Sequence, residues 1–162
     1  MGKDSVTIRP VETKEDLSAT IDLFEKYTQW LNIDLSFQDF ATEMSKMPGK
    51  YAPPTGALFL ARTYSGEPAG CVGLRVLSTS GTCEMKRLYV DPRGRGLGLG
   101  KALADTVIAE AKRLGYTAMK LDTLSHMTHA LALYRSLGFR EIEAYYDTPL
   151  ESTVFLTLDL TN

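Results

Sequence analysis

Polar and apolar positions alternate with a period of two in "VTIRPV" (6–11), which predicts a short strand, and then switch to helical spacing. From Asp16 the apolar residues Leu17, Ile21, Leu23, Phe24 and Tyr27 share one helical face. A second helical patch, "SFQDFATEMSKM" (36–47), starts at a Ser36 cap, carries Phe37, Phe40, Met44 and Met47, and is broken by "PGKYAPPTG". "ALFLARTY" (57–64), "AGCVGLRVL" (69–77) and "CEMKRLYV" (83–90) read as three strands of an antiparallel meander, the first pair joined by a turn at "SGEP". A helix then runs to about Leu114 and ends at Gly115, followed by the strand "AMKLDTL" (118–124) and a helix from about Met127 to Leu137, ended by Gly138. "VFLTLDL" (154–160) is the last strand. The order β-α-α-β-β-β-α-β-α-β predicts an α+β fold with a central mixed, mostly antiparallel sheet flanked by helices. One internal β-α-β crossover demands at least one parallel strand pair.

Composition narrows the partners. At 162 residues and 44% hydrophobic, the chain is expected to form a single domain over 1–162 with a real core. A net charge of −2 with interspersed signs offers no basic field for a phosphate backbone, so no nucleic-acid partner is expected. No apolar run approaches the ~20 residues that cross a bilayer, and "MGKDSVTIRP" has no signal-peptide core. Val6 breaks the myristoylation pattern. Cys71 and Cys83 lack metal-ligand spacing and read as buried thiols in a reducing compartment, which predicts a cytoplasmic protein without a membrane partner.

The chemistry concentrates in "DPRGRGLGLGKAL" (91–103), where four glycines and two arginines separate a strand from a helix. Glycine costs about 0.5–1 kcal/mol relative to alanine inside regular structure, so bare backbone there needs a reason. The first turn of a helix has unpartnered N–H groups and a partial positive charge. Glycines at 94, 96, 98 and 100 would let those groups cradle a phosphate. The alternative, a tight turn needing positive φ, would require one glycine. Lys101 is followed by Ala102, not Ser or Thr, so this is no Walker loop. The glycine spacing and the meander strand before it fit no Rossmann turn either.

"RGLGLG" with Arg95, Gly98 and Gly100 resembles the Q/R-x-x-G-x-G/A signature of the GCN5-related N-acetyltransferases (GNAT). The motif alone also fits two residues earlier, and the spacing after "VDP" selects Arg95. "ALALYRSLGF" (130–139) is similar to the family's second signature, although Met127 stands where many members have Asn. The resemblance implies acetyl-CoA as cosubstrate, with no metal, held by Leu88, Tyr89, Val90, Arg95, Gly96, Leu97, Gly98, Leu99, Gly100 and Lys101. It implies the Leu88 backbone N–H as donor to the thioester oxygen, Glu84 as base and Tyr134 as general acid. Both roles answer chemical needs. An amine of pKa ~10.4 costs about 4–5 kcal/mol to deprotonate near neutrality, and a thiolate of pKa ~8.5 leaves more readily when protonated. Glu84, four residues before Leu88, is expected on the same pleat face.

Other residues carry blander expectations. His126 and His129 make an H-x-x-H pair too small for a metal site. Asp34, Asp39 and Glu43 read as the wet face of the second helix. Trp30, Phe37 and Tyr51 line either the acceptor pocket or the core. An aromatic cleft with carboxylates, drawn from Trp30, Asp34, Phe37, Tyr51, Tyr145, Tyr146 and Asp147, suits a small-molecule amine as acceptor. An acetyltransferase acting on a protein amine and a non-catalytic acyl-CoA-binding module stand as alternatives, and a homodimer is left open.

Overall fold

The computed structural model describes residues 6–33, 39–77 and 81–161. Strands β1 (Thr7–Pro10), β2 (Ala57–Arg62), β3 (Pro68–Val76), β4 (Thr82–Val90), β5 (Ala118–Leu124), β6 (Arg140–Ile142) and β7 (Thr153–Asp159) form one sheet in the order β1-β2-β3-β4-β5-β7-β6. Helices α1 (Lys14–Leu31) and α2 (Phe40–Ser45) precede β2, α3 (Leu99–Arg113) joins β4 to β5, and α4 (Thr128–Ser136) follows β5. The β4-α3-β5 crossover makes the β4–β5 pair parallel, while every other pair is antiparallel, as the order of elements predicts.

Two cores sandwich the sheet. On one face Leu99, Leu103, Val107 and Ala111 of α3 and Leu131 of α4 pack onto Val72, Leu74 and Met85. On the other, Leu23 and Phe24 of α1 pack with Leu58, Leu60, Cys71 and Tyr51, the last in a 3₁₀ turn at Gly49–Tyr51. Both cysteines are buried free thiols.

Three elements differ from the expectation. α1 begins two residues before Asp16 because the Thr13 hydroxyl accepts from the Asp16 backbone N–H at 3.0 Å, capping an acidic first turn. α2 has six residues instead of twelve, is preceded by Asp39 at φ 59°, and the expected Ser36 cap lies outside the described residues. β6, unforeseen, is three residues without apolar alternation, and it exists by pairing with β7.

Two irregularities in β4 shape everything nearby. Cys71 pairs with Tyr89 and Gly73 with Lys86, so Arg87 and Leu88 together oppose Val72, a β-bulge with Arg87 at φ 60°. The parallel pairing with β5 holds at Thr82↔Ala118, Cys83↔Met119 and Glu84↔Lys120, after which both strands continue but part.

Gly73 lets the buried Tyr51 ring approach β3 closely, since a Cβ there would sit 2.6 Å from Tyr51 Cε1. Gly73→Ala should therefore lower the unfolding free energy by about 1–3 kcal/mol. At Gly100 in α3 a Cβ meets only Leu133 Cδ2 at 3.7 Å. Gly100→Ala should be neutral or stabilising by up to about 1 kcal/mol. Urea midpoints at constant m-value check both, and equal midpoints for the two variants would refute the packing account.

Candidate active site

The gap left by β4 and β5 opens into a cavity of about 450 Å³. It passes through the sheet. Leu133 and Tyr134 of α4 form one wall, and Tyr27 and Trp30 of α1 with Tyr146 form the other, while residues 85–90 and 121–124 of the two strands line its waist.

The bulge decides which side chains reach this space. Before it, Met85 joins the α3 core and Glu84 and Lys86 face α1 and α2; after it, Leu88 and Val90 pack toward α3 and Tyr89 toward α1. The even spacing from Glu84 to Leu88 therefore does not put them on one face: the extra residue at Arg87 inverts the alternation. Glu84 is 1% exposed and is not on the cavity wall; its carboxylate accepts from Arg75 Nε at 2.8 Å and from the Tyr145 hydroxyl at 2.6 Å. Burial pushes the Tyr145 phenol well above its ordinary range, with the Glu84 charge adding to the shift.

A buried ionic layer continues from there. Glu43 of α2 receives Arg87 at 3.4 Å, Arg75 at 3.8 Å and the Tyr51 hydroxyl at 2.9 Å. The Arg87 guanidinium lies 5.1 Å from the Phe40 ring centroid. Glu43 is thus no part of a wet helix face, which corrects that expectation, whereas Asp39 is exposed.

Tyr134 is 7% exposed, stacks edge-on against Phe139 and lines the cavity. Burial holds its phenol above the usual range, so the hydroxyl keeps its proton at neutral pH. Of the ten residues expected to hold a cofactor, Leu88, Tyr89, Val90, Arg95 and Gly100 line the cavity. Gly96 and Gly98 have φ of 81° and 71°, with no atom within 4 Å of a would-be Cβ. Leu97 is exposed, the Leu99 side chain is core, and Lys101 turns outward to Asp105 at 2.7 Å. Gly94 serves packing instead, since a Cβ there would meet the Ala69 carbonyl under β3 at 2.8 Å. Gly98 is the N-cap of α3 and supplies no side-chain hydrogen bond to its first-turn N–H groups. At the rim Arg95 lies 5.7 Å from the Trp30 ring centroid and donates to the Val90 carbonyl at 3.3 Å.

Sequence reasoning missed two polar residues of the cavity wall. Lys86 and Asp122 extend the Glu84↔Lys120 register by two residues on each strand, and their charged atoms stand 3.9 Å apart. The Tyr146 hydroxyl donates to the Asp122 carboxylate. Burial pushes the Lys86 ammonium below the ordinary lysine range, with Asp122 and Glu84 opposing that shift. The signal was present as polar residues recurring every second position in "CEMK" and "KLD" of two strands joined by one crossover.

Among the described residues, the charged ones that line the cleft are Lys86, Arg87, Arg95 and Asp122. Of the acceptor candidates Trp30 and Tyr146 line it, Tyr51 is core, Tyr145 binds Glu84, and Asp147 is exposed off the wall. Asp34 and Phe37 lie outside the described residues. His129 is on the wall and His126 exposed, and no metal-holding group occurs among the described residues. Met127 takes the N-cap of α4 without a side-chain cap, and its sulfur accepts from the Thr123 hydroxyl at 3.8 Å.

Residues 18–139 match the model of the acetyltransferase (GNAT) family. The chain belongs to the GNAT family. It is 38% identical over 160 residues to an uncharacterized N-acetyltransferase of Schizosaccharomyces pombe, covering 99% of this chain and 98% of that protein. A Klebsiella pneumoniae structure assigned as an acyl-CoA N-acyltransferase superposes with a TM-score of 0.76 at 29% identity, covering 97% and 99% of the two chains. The fold of a Salmonella typhimurium acetyltransferase solved with acetyl-CoA matches with a TM-score of 0.68 at 22% identity, covering 96% of this chain and 94% of that one. This GNAT protein is therefore an N-acetyltransferase, with acetyl-CoA the cosubstrate at the level of the family.

The ion pair to Arg75 gives Glu84 a measurable structural duty. Glu84→Gln should cost about 1–3 kcal/mol of unfolding free energy, below the ~3–5 of a fully buried broken pair, because Arg75 keeps Glu43 and some solvent. A urea titration matching the parent would contradict this.

Proposed function

We propose that the protein transfers the acetyl group of acetyl-CoA to the primary amine of a small molecule by direct attack. The observation that carries the reading is the cavity through the sheet, with Tyr134 on the α4 wall and Asp122 on the α1 wall. The thioester enters from the side of the glycine loop, and the amine from the side of α1 and Tyr146.

In this reading the open faces of Gly96 and Gly98 and the uncapped start of α3 hold the pyrophosphate. Arg95 adds charge at the rim. The Leu88 backbone, at the bulge, donates to the thioester oxygen as negative charge gathers there. Val90 pairs with the pantetheine arm as an added strand would. As the N–C bond forms and the C–S bond breaks, the Tyr134 hydroxyl gives its proton to the departing sulfur and is reprotonated from solvent. The ammonium loses one proton before attack and the new amide nitrogen a second, so one proton is released net.

Asp122 is the carboxylate placed to take the amine's proton. Glu84 acts by holding Arg75 and Tyr145, with no group of its own on the wall. The cytoplasm suits the two unpaired buried thiols.

Tyr134→Phe should lower kcat by about 10²–10⁴ with little change in acetyl-CoA affinity. Asp122→Asn should lose rate most at neutral pH and regain it as the free amine accumulates in alkali. Turnover of CoA thiol across pH measures both; parental kcat in either variant removes that residue's role.

Gly98→Val places a branched side chain at φ 71° in the loop and should abolish acetyl-CoA binding without unfolding the domain. Calorimetry giving a parental Kd would move the pyrophosphate site elsewhere.

A further inference from the structure

The glycine loop carries two arginines, and they are held differently. Arg93 is bound by carboxylates: its Nε meets Asp91 at 2.8 Å and its Nη1 meets Glu67 at 3.5 Å. Arg95 has no carboxylate partner among the described residues. Its Nε donates to the Val90 carbonyl at 3.3 Å, and its Cζ lies 5.7 Å from the centroid of the Trp30 ring. Neither contact carries a negative charge, so Arg95 is held without being neutralised.

Trp30 gives that contact a rigid base. It lies in the last turn of α1, just before the left-handed Asn32 that ends the helix. Its ring packs on Tyr27, at 6.3 Å between centroids and 28° between planes, and on Tyr89 at 6.2 Å. Tyr27 and Tyr89 are themselves 5.8 Å apart, so the rings brace one another. The loop backbone offers no comparable hold, since Arg95 is followed by Gly96 and Gly98 at φ 81° and 71°, and neither has an atom within 4 Å of a would-be Cβ. An exposed arginine on such a backbone loses much rotamer freedom when it grips an anion.

We propose that Trp30 is a positioning residue for the acetyl donor: its ring holds the Arg95 guanidinium in place for the pyrophosphate of acetyl-CoA. This rests on the reading above, in which the glycine loop and Arg95 take that pyrophosphate. A ring suits the task better than a carboxylate. It attracts the cation through its face and leaves the planar N–H edge to phosphate oxygens, whereas an acidic partner would compete with phosphate for the same donors. The contact spans the mouth of the cavity, from the α1 wall to the glycine loop. The helix on the side where the amine enters thereby sets the affinity for acetyl-CoA.

A double-mutant cycle on the full chain, read by calorimetry with acetyl-CoA, tests this. Trp30→Leu should raise the Kd about fivefold, the size of a cation–ring contact at an exposed site. Arg95→Ala should also raise it, and adding Trp30→Leu to Arg95→Ala should then change little, because the cation that the ring holds is gone. The effect of Trp30→Leu should differ between the two backgrounds by at least about threefold. A smaller difference overturns the inference, since a ring that merely packs on Tyr27 and Tyr89 would weaken binding equally in both. Trp30→Met is read by the same ratio if Trp30→Leu lowers the urea midpoint. A parental Kd in Arg95→Ala removes the pyrophosphate role of Arg95 and this inference with it, while acetyl transfer stands. Failure of the unmodified protein to bind acetyl-CoA removes the acetyl-transfer reading as a whole, and this inference with it.

Discussion

The site depends on one break in regular pairing, the parting of β4 from β5 after Glu84 and Lys120. Parallel strands are expected to stay bonded along their length, because unpaired backbone groups away from water cost as much as a lost hydrogen bond. Here the strands continue as strands but leave a gap that a ligand can fill with its own donors and acceptors. The bulge one step further on adds a residue to β4, so that two successive side chains, Lys86 and Arg87, reach the α1 and α2 face. The gap supplies the room, and the bulge turns Arg87 toward Glu43 of α2.

A bulge with a non-glycine residue at φ 60° stores strain of order 1–3 kcal/mol and persists only when its surroundings fix it. They do so here through the layer of Glu43, Arg75, Glu84, Arg87, Tyr51 and Tyr145. Two carboxylates face two guanidiniums, so the layer is neutral although it is mostly buried. Such networks strengthen when complete and become costly when one member is removed. The short α2 gains its place from this layer, since none of its residues is buried and its six-residue length could not sustain a helix alone.

Much of this was legible from periodicity and punctuation. The meander, the crossover and the ends of α3 and α4 follow from alternation, helical spacing and Gly115 and Gly138, both left-handed in the structure. The glycine loop could be placed at the mouth of a helix because its residues have little other reason to occur together. Tertiary effects account for the rest. A bulge is invisible to counting by twos, which puts Glu84 on the face of Leu88. Lys86 and Asp122 look like ordinary strand polars until their strands are set side by side. β6 has no pattern of its own, and Glu43 looks solvated until two arginines from the sheet are seen to reach it.

The contact between Trp30 and Arg95 has a practical side. The chain has a single tryptophan, half exposed at 51%, with its ring against the guanidinium of the glycine loop and beside Tyr27 and Tyr89. All of the protein's indole fluorescence therefore originates at one rim of the cavity. The molecule carries its own optical reporter at the mouth of this cavity, with no label to attach and no second tryptophan to subtract.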